Sequence, residues 1–390
     1  MHVLVSGAGI AGPTFAHGLL RAGHRVTVVE SSPAPRPGGQ AIDVRGPALE
    51  VADRLGISAD IRAARTDMRG MSIVAADGRE LMSTTSTTLT GGPVGGPDVE
   101  ILRDDLATLL LAAAPGAEYV FGDRVTALAE HDDGVDVTLA SGRTERADVV
   151  VGADGLHSTV RALAGFPTDG VLRHLGSHLA VYTMPNEFGL DRWQVFCRFP
   201  DAMAGLYTAR ENAEVRVNLG WEAPGLSYDH RDLTTQRRLV TEAFEGRGWW
   251  VPRMLAGLAD APDFYLAPMS QVVLPRWSAG RVVLLGDAAW CTTPMSGQGT
   301  SLAMIGAHLL AHELGPLGAV PSASALDEAF RRWESTLRPV VLDDQRLAIE
   351  NAERTSAMAE ALDVEGAEAA IGGGDEQWAA TTAATRLVLP

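Results

Sequence analysis

The 390-residue sequence contains no lysine; all 32 of its basic residues are arginine. That excludes every mechanism that needs a side-chain amine, such as a Schiff base. Two cysteines, Cys197 and Cys291, are too few for a disulfide framework, and no C-x-x-C or Cys/His spacing points to a metal. No apolar run reaches the roughly 18 residues of a membrane helix, and the chain opens on a strand rather than a basic, then apolar, leader. Positive charge is also short. With 49 acidic residues the formal net charge is −17, which disfavours nonspecific attraction to nucleic acid or anionic membrane. These absences lead us to expect a cytoplasmic protein with no membrane span, no metal and no nucleic-acid partner; a monomer or homodimer is expected. Its length allows two domains and a large core.

What the chain does have is glycine at set intervals. Residues 2–6 form a short apolar run, the pattern of a strand buried on both faces. Gly7, Gly9 and Gly12 follow as G-x-G-x-x-G, and the apolar spacing turns helical over 10–21. In such a strand–turn–helix the first glycine makes the tight turn, the second admits a pyrophosphate to the backbone, and the third lets helix pack on strand. The phosphates then meet unpaired N–H groups at the positive end of the helix. Residues 25–29 form a second strand ending in Glu30, placed to accept hydrogen bonds from an adenosine ribose. This predicts a Rossmann unit. Glu30 argues against the 2′-phosphate of NADP here and leaves FAD or NAD.

Residues 30–46 make a proline- and glycine-rich loop with a short strand at 40–44; Arg36 and Arg45 either reach a bound nucleotide or ring or stand as solvated surface arginines. A helix follows over 47–55, a hairpin over 71–82 around Asp77-Gly78, and a Ser/Thr/Gly-rich loop over 83–97. A helix is predicted over 100–114, with Arg103 in its first turn, where the helix dipole disfavours a cation; phosphate, flavin or a salt bridge to Asp98 or Glu100 would offset that. Residues 118–150 alternate and carry turn signals, fitting three antiparallel strands. The last, apolar strand runs into GADGLHSTVR (152–161), a second strand-to-helix junction that holds Asp154 and Arg161.

From 171 to 220 the texture changes to short strands at 179–183, 194–198, 204–208 and 213–219. Alternation puts Gln194, Phe196 and Arg198 on one face, and likewise Arg216 and Asn218. Helices at 233–245 and 250–258 and a strand at 263–274 follow, and residues 281–285 return to the buried parallel type. The fold class is therefore α/β: a Rossmann-type domain (1–70, 100–165 and 275–320) interleaved with a mostly antiparallel β-sheet substrate domain (71–99 and 166–274). A C-terminal helical region (321–390) completes it. Within that region 324–353 reads as one long helix, periodicity is lost beyond 361, and glycines 372–374 mark a break.

Gly286-Asp287 follows the strand at 281–285 at once, placing a carboxylate to accept hydrogen bonds from a polyol. Pro294, Gly297, Gln298 and Gly299 (PMSGQG) then set backbone amides just before a helix over 300–314. A helix N-terminus facing a ring stabilises negative charge. Reduced flavin carries such charge on its N1–C2=O edge, so the site suits flavin better than nicotinamide. With these pieces in this order, residues 1 to about 315 resemble the single-component flavin-dependent aromatic hydroxylases typified by p-hydroxybenzoate hydroxylase. The length and the GGQAIDVRG segment look closest to monooxygenases of tetracyclines and other polycyclic aromatics.

The resemblance implies noncovalent FAD, NADPH or NADH as co-substrate, and dioxygen. It implies hydroxylation of an aromatic, polycyclic phenolic or polyketide-like small molecule through a C4a-hydroperoxide of the flavin. It gives Glu30 the adenosine ribose, the 7–12 loop the pyrophosphate, and Arg103 the flavin side of the cofactor. Asp154 and Arg161 belong to the motif tied to FAD and NAD(P)H. Asp287 holds the ribityl chain, and the residues from Pro294 to Gly299 lie beside the isoalloxazine. No catalytic side chain is required; Arg45 is the candidate for sensing flavin movement. Gln194, Phe196, Arg198, Arg216 and Asn218 are the expected pocket residues if their faces look inward, and His174, His178 and His230 stand unranked as bases. A prenyl-lipid reductase of the same fold, or a ligand-binding flavoprotein without turnover, is the alternative. A halogenase is disfavoured, because the chain lacks both lysine and a W-x-W-x-I-P segment.

Overall fold

The valine-rich N-terminus forms strand His2–Ser6 inside a six-stranded sheet, where Val3, Leu4 and Val5 are wholly buried. The computed structural model describes residues 1–359 and 387–390. Sheet order is Ser278–Ala279, Val282–Leu284, Val149–Gly152, His2–Ser6, Arg25–Glu30 and Glu118–Phe121, parallel except for the first pair. Such strands are apolar throughout because helices cover them. Helices Ala11–Arg21 and Gly299–Leu314 cross closely at Gly18, where a Cβ would lie 2.6 Å from Ala311 Cβ. The long helix Ala323–Ala359 packs along Gly299–Leu314, and Trp277, Trp290 and Trp333 meet beneath it.

A seven-stranded sheet stands opposite, ordered Tyr265–Val272, Leu172–Pro185, Glu214–Glu222, Ala202–Ala209, Trp193–Phe199, Gly70–Val74 and Glu80–Thr84. All its pairs are antiparallel except Trp193–Phe199 with Gly70–Val74. One face buries Tyr182, Leu206, Val217 and Leu219 against Val240, Phe244, Val251 and Met254 of helices Leu233–Phe244 and Val251–Leu258. The alternate residues of these strands face the first domain.

Three local expectations change. The helix expected over 100–114 begins at Arg103, because Val99–Leu102 is a strand paired with Ala41–Val44 and burying Val99 and Ile101. A tertiary partner thus overrides helical spacing in that turn. Residues 118–150 do contain a three-stranded antiparallel sheet (Val125–His131, Gly134–Leu139 and Thr144–Ala147), but Glu118–Phe121 and Val149–Gly152 join the parallel sheet instead. The 83–97 loop carries a two-residue ladder, Thr87–Thr88 with Gly92–Pro93. The expected loss of periodicity beyond 361 and the break at glycines 372–374 lie outside the described residues. No described helix is long and apolar enough to cross a membrane, and no described cluster could hold a metal.

Candidate active site

A cavity of about 1160 Å³ opens between the two sheets, running from the first glycine loop to the alternate face of the antiparallel sheet. At its nucleotide end Gly7 turns with φ +112° and donates its N–H to Val29 O at 2.7 Å. The buried Glu30 accepts from Ala8 N at 2.9 Å, Ser32 N at 2.9 Å and the Ser31 hydroxyl at 3.1 Å, and it contributes to the wall. Gly9 is on the wall and Gly12 is behind it, where a Cβ would lie 2.0 Å from Gly7 O.

Two helix N-termini lie at this cavity without a side-chain cap or an acidic first turn: Ala11–Arg21, capped by Ile10, and Gly299–Leu314, capped by Gln298. Their leading N–H groups need partners, and anionic or acceptor groups of a ligand satisfy them. Pro294, Gly297 and Gly299 are on the wall beside the second of these ends, while Gln298 is buried off it. Asp287 faces the open cavity although protein surrounds it, and that burial pushes its carboxyl above the usual range. A dinucleotide with a polyol linker and an electron-accepting ring fits this set of donors and acceptors.

Arg36 and Arg103 are also on the wall. Arg103 donates to Gly38 O at 3.0 Å and Arg36 O at 3.3 Å; burial, then the Arg36 charge, lowers its pKa. Asp154 is on the wall but works locally, capping a helix by accepting from Thr159 N at 2.8 Å, Val160 N at 3.1 Å and the Ser158 hydroxyl. Arg161 departs from the sequence reading. Its buried guanidinium donates to Ala288 O at 2.9 Å and Leu156 O at 2.8 Å, so it ties the second motif to the third instead of lining the cavity.

On the sheet side, Phe196, Arg198 and Asn218 line the cavity with Met71, Ile73 and Met203. Gln194 and Arg216 share those faces but not the wall. The Gln194 amide donates to the Thr90 hydroxyl and accepts from Leu89 N, and Arg216 donates to Gly39 O at 3.1 Å and Glu214 at 2.8 Å. They are spent shaping the loops that form the wall. His178 is buried against Trp221, Tyr228 and His174, and burial holds its pKa down to about 4. His230 stacks on His157 at 4.4 Å, and His174 accepts from Gly176 N at 3.0 Å.

Arg45 is paired with Asp43 at 2.7 Å, both buried on the cavity wall. Asp43 is absent from the sequence reading. Its signal was an aspartate in an otherwise apolar strand (AIDV), with an arginine two residues on, on the same face. Met71, Met203, Thr88 and Thr90 of the wall carry no motif at all.

Comparison with known proteins agrees with this geometry. The FAD binding domain family matches residues 1–330. An uncharacterized protein of Mycobacterium tuberculosis (strain ATCC 25618 / H37Rv) is 46% identical over 317 residues, covering 81% of this chain and 85% of its own. A flavin-dependent monooxygenase from an unknown prokaryotic organism is 34% identical over 347 residues, covering 89% and 88%. The crystal structure of tetracycline destructase Tet(51) superposes with a TM-score of 0.88 at 30% identity, covering 100% of this chain and 99% of that one. The chain thus belongs to the FAD binding domain family, as an FAD-dependent monooxygenase of the aromatic hydroxylase type.

Proposed function

We propose that the protein hydroxylates an aromatic, polycyclic phenolic or polyketide-like small molecule, with NADPH or NADH as electron donor and dioxygen as oxidant. The observation that carries this reading is a single cavity reaching from the dinucleotide loop to an apolar wall of Met71, Ile73, Phe196 and Met203. The likeness to a tetracycline destructase supports the polycyclic class. On this reading residues 1–70, 100–165 and 275–320 hold FAD, and 71–99 and 166–274 hold the substrate.

Glu30 binds the adenosine ribose, the N–H groups behind Gly7 and Gly9 bind the pyrophosphate, and Asp287 binds the ribityl hydroxyls. Arg36 and Arg103 add positive charge along the route. Bound FAD supplies the redox chemistry that activates dioxygen. The leading amides of the helix that starts at Gly299 would stabilise negative charge on a ring bound at that end of the cavity. The methionine and phenylalanine wall keeps water from the reacting atoms. Arg161 fixes the short helix Asp287–Trp290 by holding Ala288 O.

Asp287→Ala should weaken FAD binding by about 1–3 kcal/mol, the cost of losing a hydrogen-bonding carboxylate inside the site. Fluorescence titration of the apoprotein with FAD measures it; unchanged affinity removes Asp287 from the cofactor site. The described residues hold no second G-x-G-x-x-G unit, so NAD(P)H must meet the flavin at a shared position. An accepted phenolic substrate should therefore accelerate flavin reduction at least about tenfold, roughly 1.4 kcal/mol of barrier. Anaerobic stopped-flow with and without a panel of polycyclic phenols tests this. A panel that neither speeds reduction nor is hydroxylated removes the substrate class.

A further inference from the structure

Two glycines, Gly205 and Gly220, stand inside neighbouring strands of the antiparallel sheet, Ala202–Ala209 and Glu214–Glu222. Glycine weakens a strand, because it loses more freedom on folding and offers no side chain to pack. It is kept in a strand for a bulge, for a positive φ, or for the close approach of another group. Neither residue adopts a positive φ. Both lie in unbroken ladders: Gly205 pairs with Phe196 and Asn218, and Gly220 with Leu179 and Met203, without a shift of register. Backbone geometry asks for glycine at neither position.

Gly205 is accounted for by a neighbour. A Cβ there would overlap the Phe196 ring, an aromatic side chain folded over a bare cross-strand residue. Held in this way, the ring packs with Met71, Ile73 and Leu81 and is only 2% exposed, so it walls the cavity without filling it. Gly220 has no such neighbour. A Cβ there would meet nothing nearer than His178 O at 3.8 Å, Leu179 Cδ1 at 3.9 Å and Met203 O at 4.0 Å, all ordinary van der Waals separations. Val217 and Leu219 of the same strand face the helices behind the sheet, whereas Asn218 and Gly220 are on the cavity wall. Leu179 and Met203 are on that wall too. The missing side chain therefore leaves bare backbone between two apolar side chains two strand spacings apart, roughly 10 Å between their Cα atoms. Of the reasons for a glycine in a strand, the approach of a ligand is the one left.

We propose that Gly220 is a specificity-determining residue: its bare backbone forms a slot between Leu179 and Met203 that receives one ring of a flat, fused-ring phenolic substrate, and Gly205 keeps the slot open by holding Phe196 against the sheet. A fused-ring substrate needs apolar area on which its further rings can lie, and any side chain at 220 would stand in that area. The bare peptide planes suit the face of a ring, and the Met203 thioether suits its edge. A single-ring phenol makes no use of the slot. This assignment rests on the phenolic substrate class proposed above and names the residue that selects for fused rings within it.

The test uses the FAD-loaded enzyme with NADPH and phenols graded by size: phenol, 2-naphthol, 2-hydroxyanthracene and tetracycline. Formation of hydroxylated product gives kcat/KM for wild type, Gly220→Ala, Gly220→Val and Gly205→Ala. With the largest substrate that the wild type accepts, Gly220→Val should lose at least about a hundredfold in kcat/KM and Gly220→Ala about tenfold. The loss should grow with ring number and lie in KM, matched by weaker substrate binding in titrations followed by the flavin absorbance. Both variants should melt at or above the wild type, because alanine and valine fit an extended strand at least as well as glycine. A glycine kept for the fold would show the reverse. Gly205→Ala should lower the same kcat/KM, and Phe196→Ala added to it should restore the loss, since the displaced ring is what blocks the slot. If Gly220→Val melts below the wild type, Gly220→Ala decides by its tenfold loss; a lower melting temperature in both overturns the slot. Fused-ring turnover unchanged in the Gly220 variants, or an equal loss for every ring number, also overturns it and leaves the substrate class standing. A wild type that hydroxylates phenol alone overturns the slot. A wild type that hydroxylates none of the panel overturns the substrate reading, and the slot with it.

Discussion

Gly7→Ala will leave the protein without tightly bound FAD and with a weaker fold, whereas Gly9→Ala will weaken FAD binding alone. The two glycines lie two residues apart in one loop, yet they meet different surroundings. A Cβ on Gly7 would lie 2.3 Å from Ala153 O and 2.7 Å from Ala153 C, and both are backbone atoms of the neighbouring strand's exit. Gly7 also sits at φ +112°, where an L side chain costs about 1–3 kcal/mol. Relief requires the ends of strands His2–Ser6 and Val149–Gly152 to part, at the expense of the bonds from Ala153 N to Ser6 O and from Gly7 N to Val29 O. The Ala8 N–H to Glu30 bond moves with them. FAD affinity should fall at least about a hundredfold, or roughly 2.7 kcal/mol, with a lower melting temperature for the apoprotein. A Cβ on Gly9 meets nothing within 4 Å, so the empty protein is indifferent to it. Its methyl group instead occupies the space through which a pyrophosphate approaches the backbone. Affinity should drop about tenfold or more, or roughly 1.4 kcal/mol, with no change in apoprotein melting. FAD titration and thermal melts of the two apoproteins separate the cases. Wild-type affinity in Gly9→Ala would show that the phosphates do not pass over this residue.

The same contrast explains how much of the molecule the sequence discloses. Elements defined by local chemistry are legible: the glycine turn, Glu30 at the end of a strand, the strand-to-helix junction at Ser158, and Asp287 after RVVLL. Each follows from what the next few residues must do. Elements defined by a distant partner are not legible in this way. Residues 99–102 have an apolar spacing that suits a helix, and only the pairing with Ala41–Val44 makes them a strand. Arg161 sits at the expected strand-to-helix junction, and Gln194 and Arg216 are on the expected faces. Their hydrogen bonds go to Ala288 O, to Thr90 and Leu89, and to Gly39 O, acceptors and donors that no periodicity encodes. Asp43 shows both sides. Its apolar strand context was visible, but its burial beside Glu100 and its clamp to Ser301 depend on the closed fold.

Trp333→Ala will destabilise the protein by about 3–5 kcal/mol, the range for removing a large, fully buried aromatic side chain. Trp333 is 1% exposed and stands between two other buried indoles, with ring centroids 5.4 Å from Trp277 and 5.7 Å from Trp290. Such a cluster adds stabilisation beyond its buried area through edge-to-face and tilted ring contacts. The three rings come from the segment before strand Val282–Leu284, the end of the short helix Asp287–Trp290 and the long C-terminal helix, so they join that helix to the Val282–Leu284 end of the parallel sheet. Trp333 Nε1 also donates to Gly306 O at 2.9 Å, fixing the long helix to Gly299–Leu314. Gly306 allows this approach, since a Cβ there would lie 2.9 Å from the Trp290 ring. Glu334 accepts from Trp277 N at 3.0 Å, and Arg338 stands over the Trp277 ring at 4.4 Å, so the next turn of the helix grips the same indole. Trp333→Phe keeps a ring in the cluster but leaves Gly306 O without its donor, and should cost about 1–3 kcal/mol. Urea unfolding of the FAD-loaded protein measures both variants. The midpoint should fall in the order wild type, Trp333→Phe, Trp333→Ala, with the slope unchanged if only the native state is weakened. A loss of under about 1 kcal/mol for Trp333→Ala would show that the long helix is held elsewhere, because a filled aromatic site cannot be emptied so cheaply.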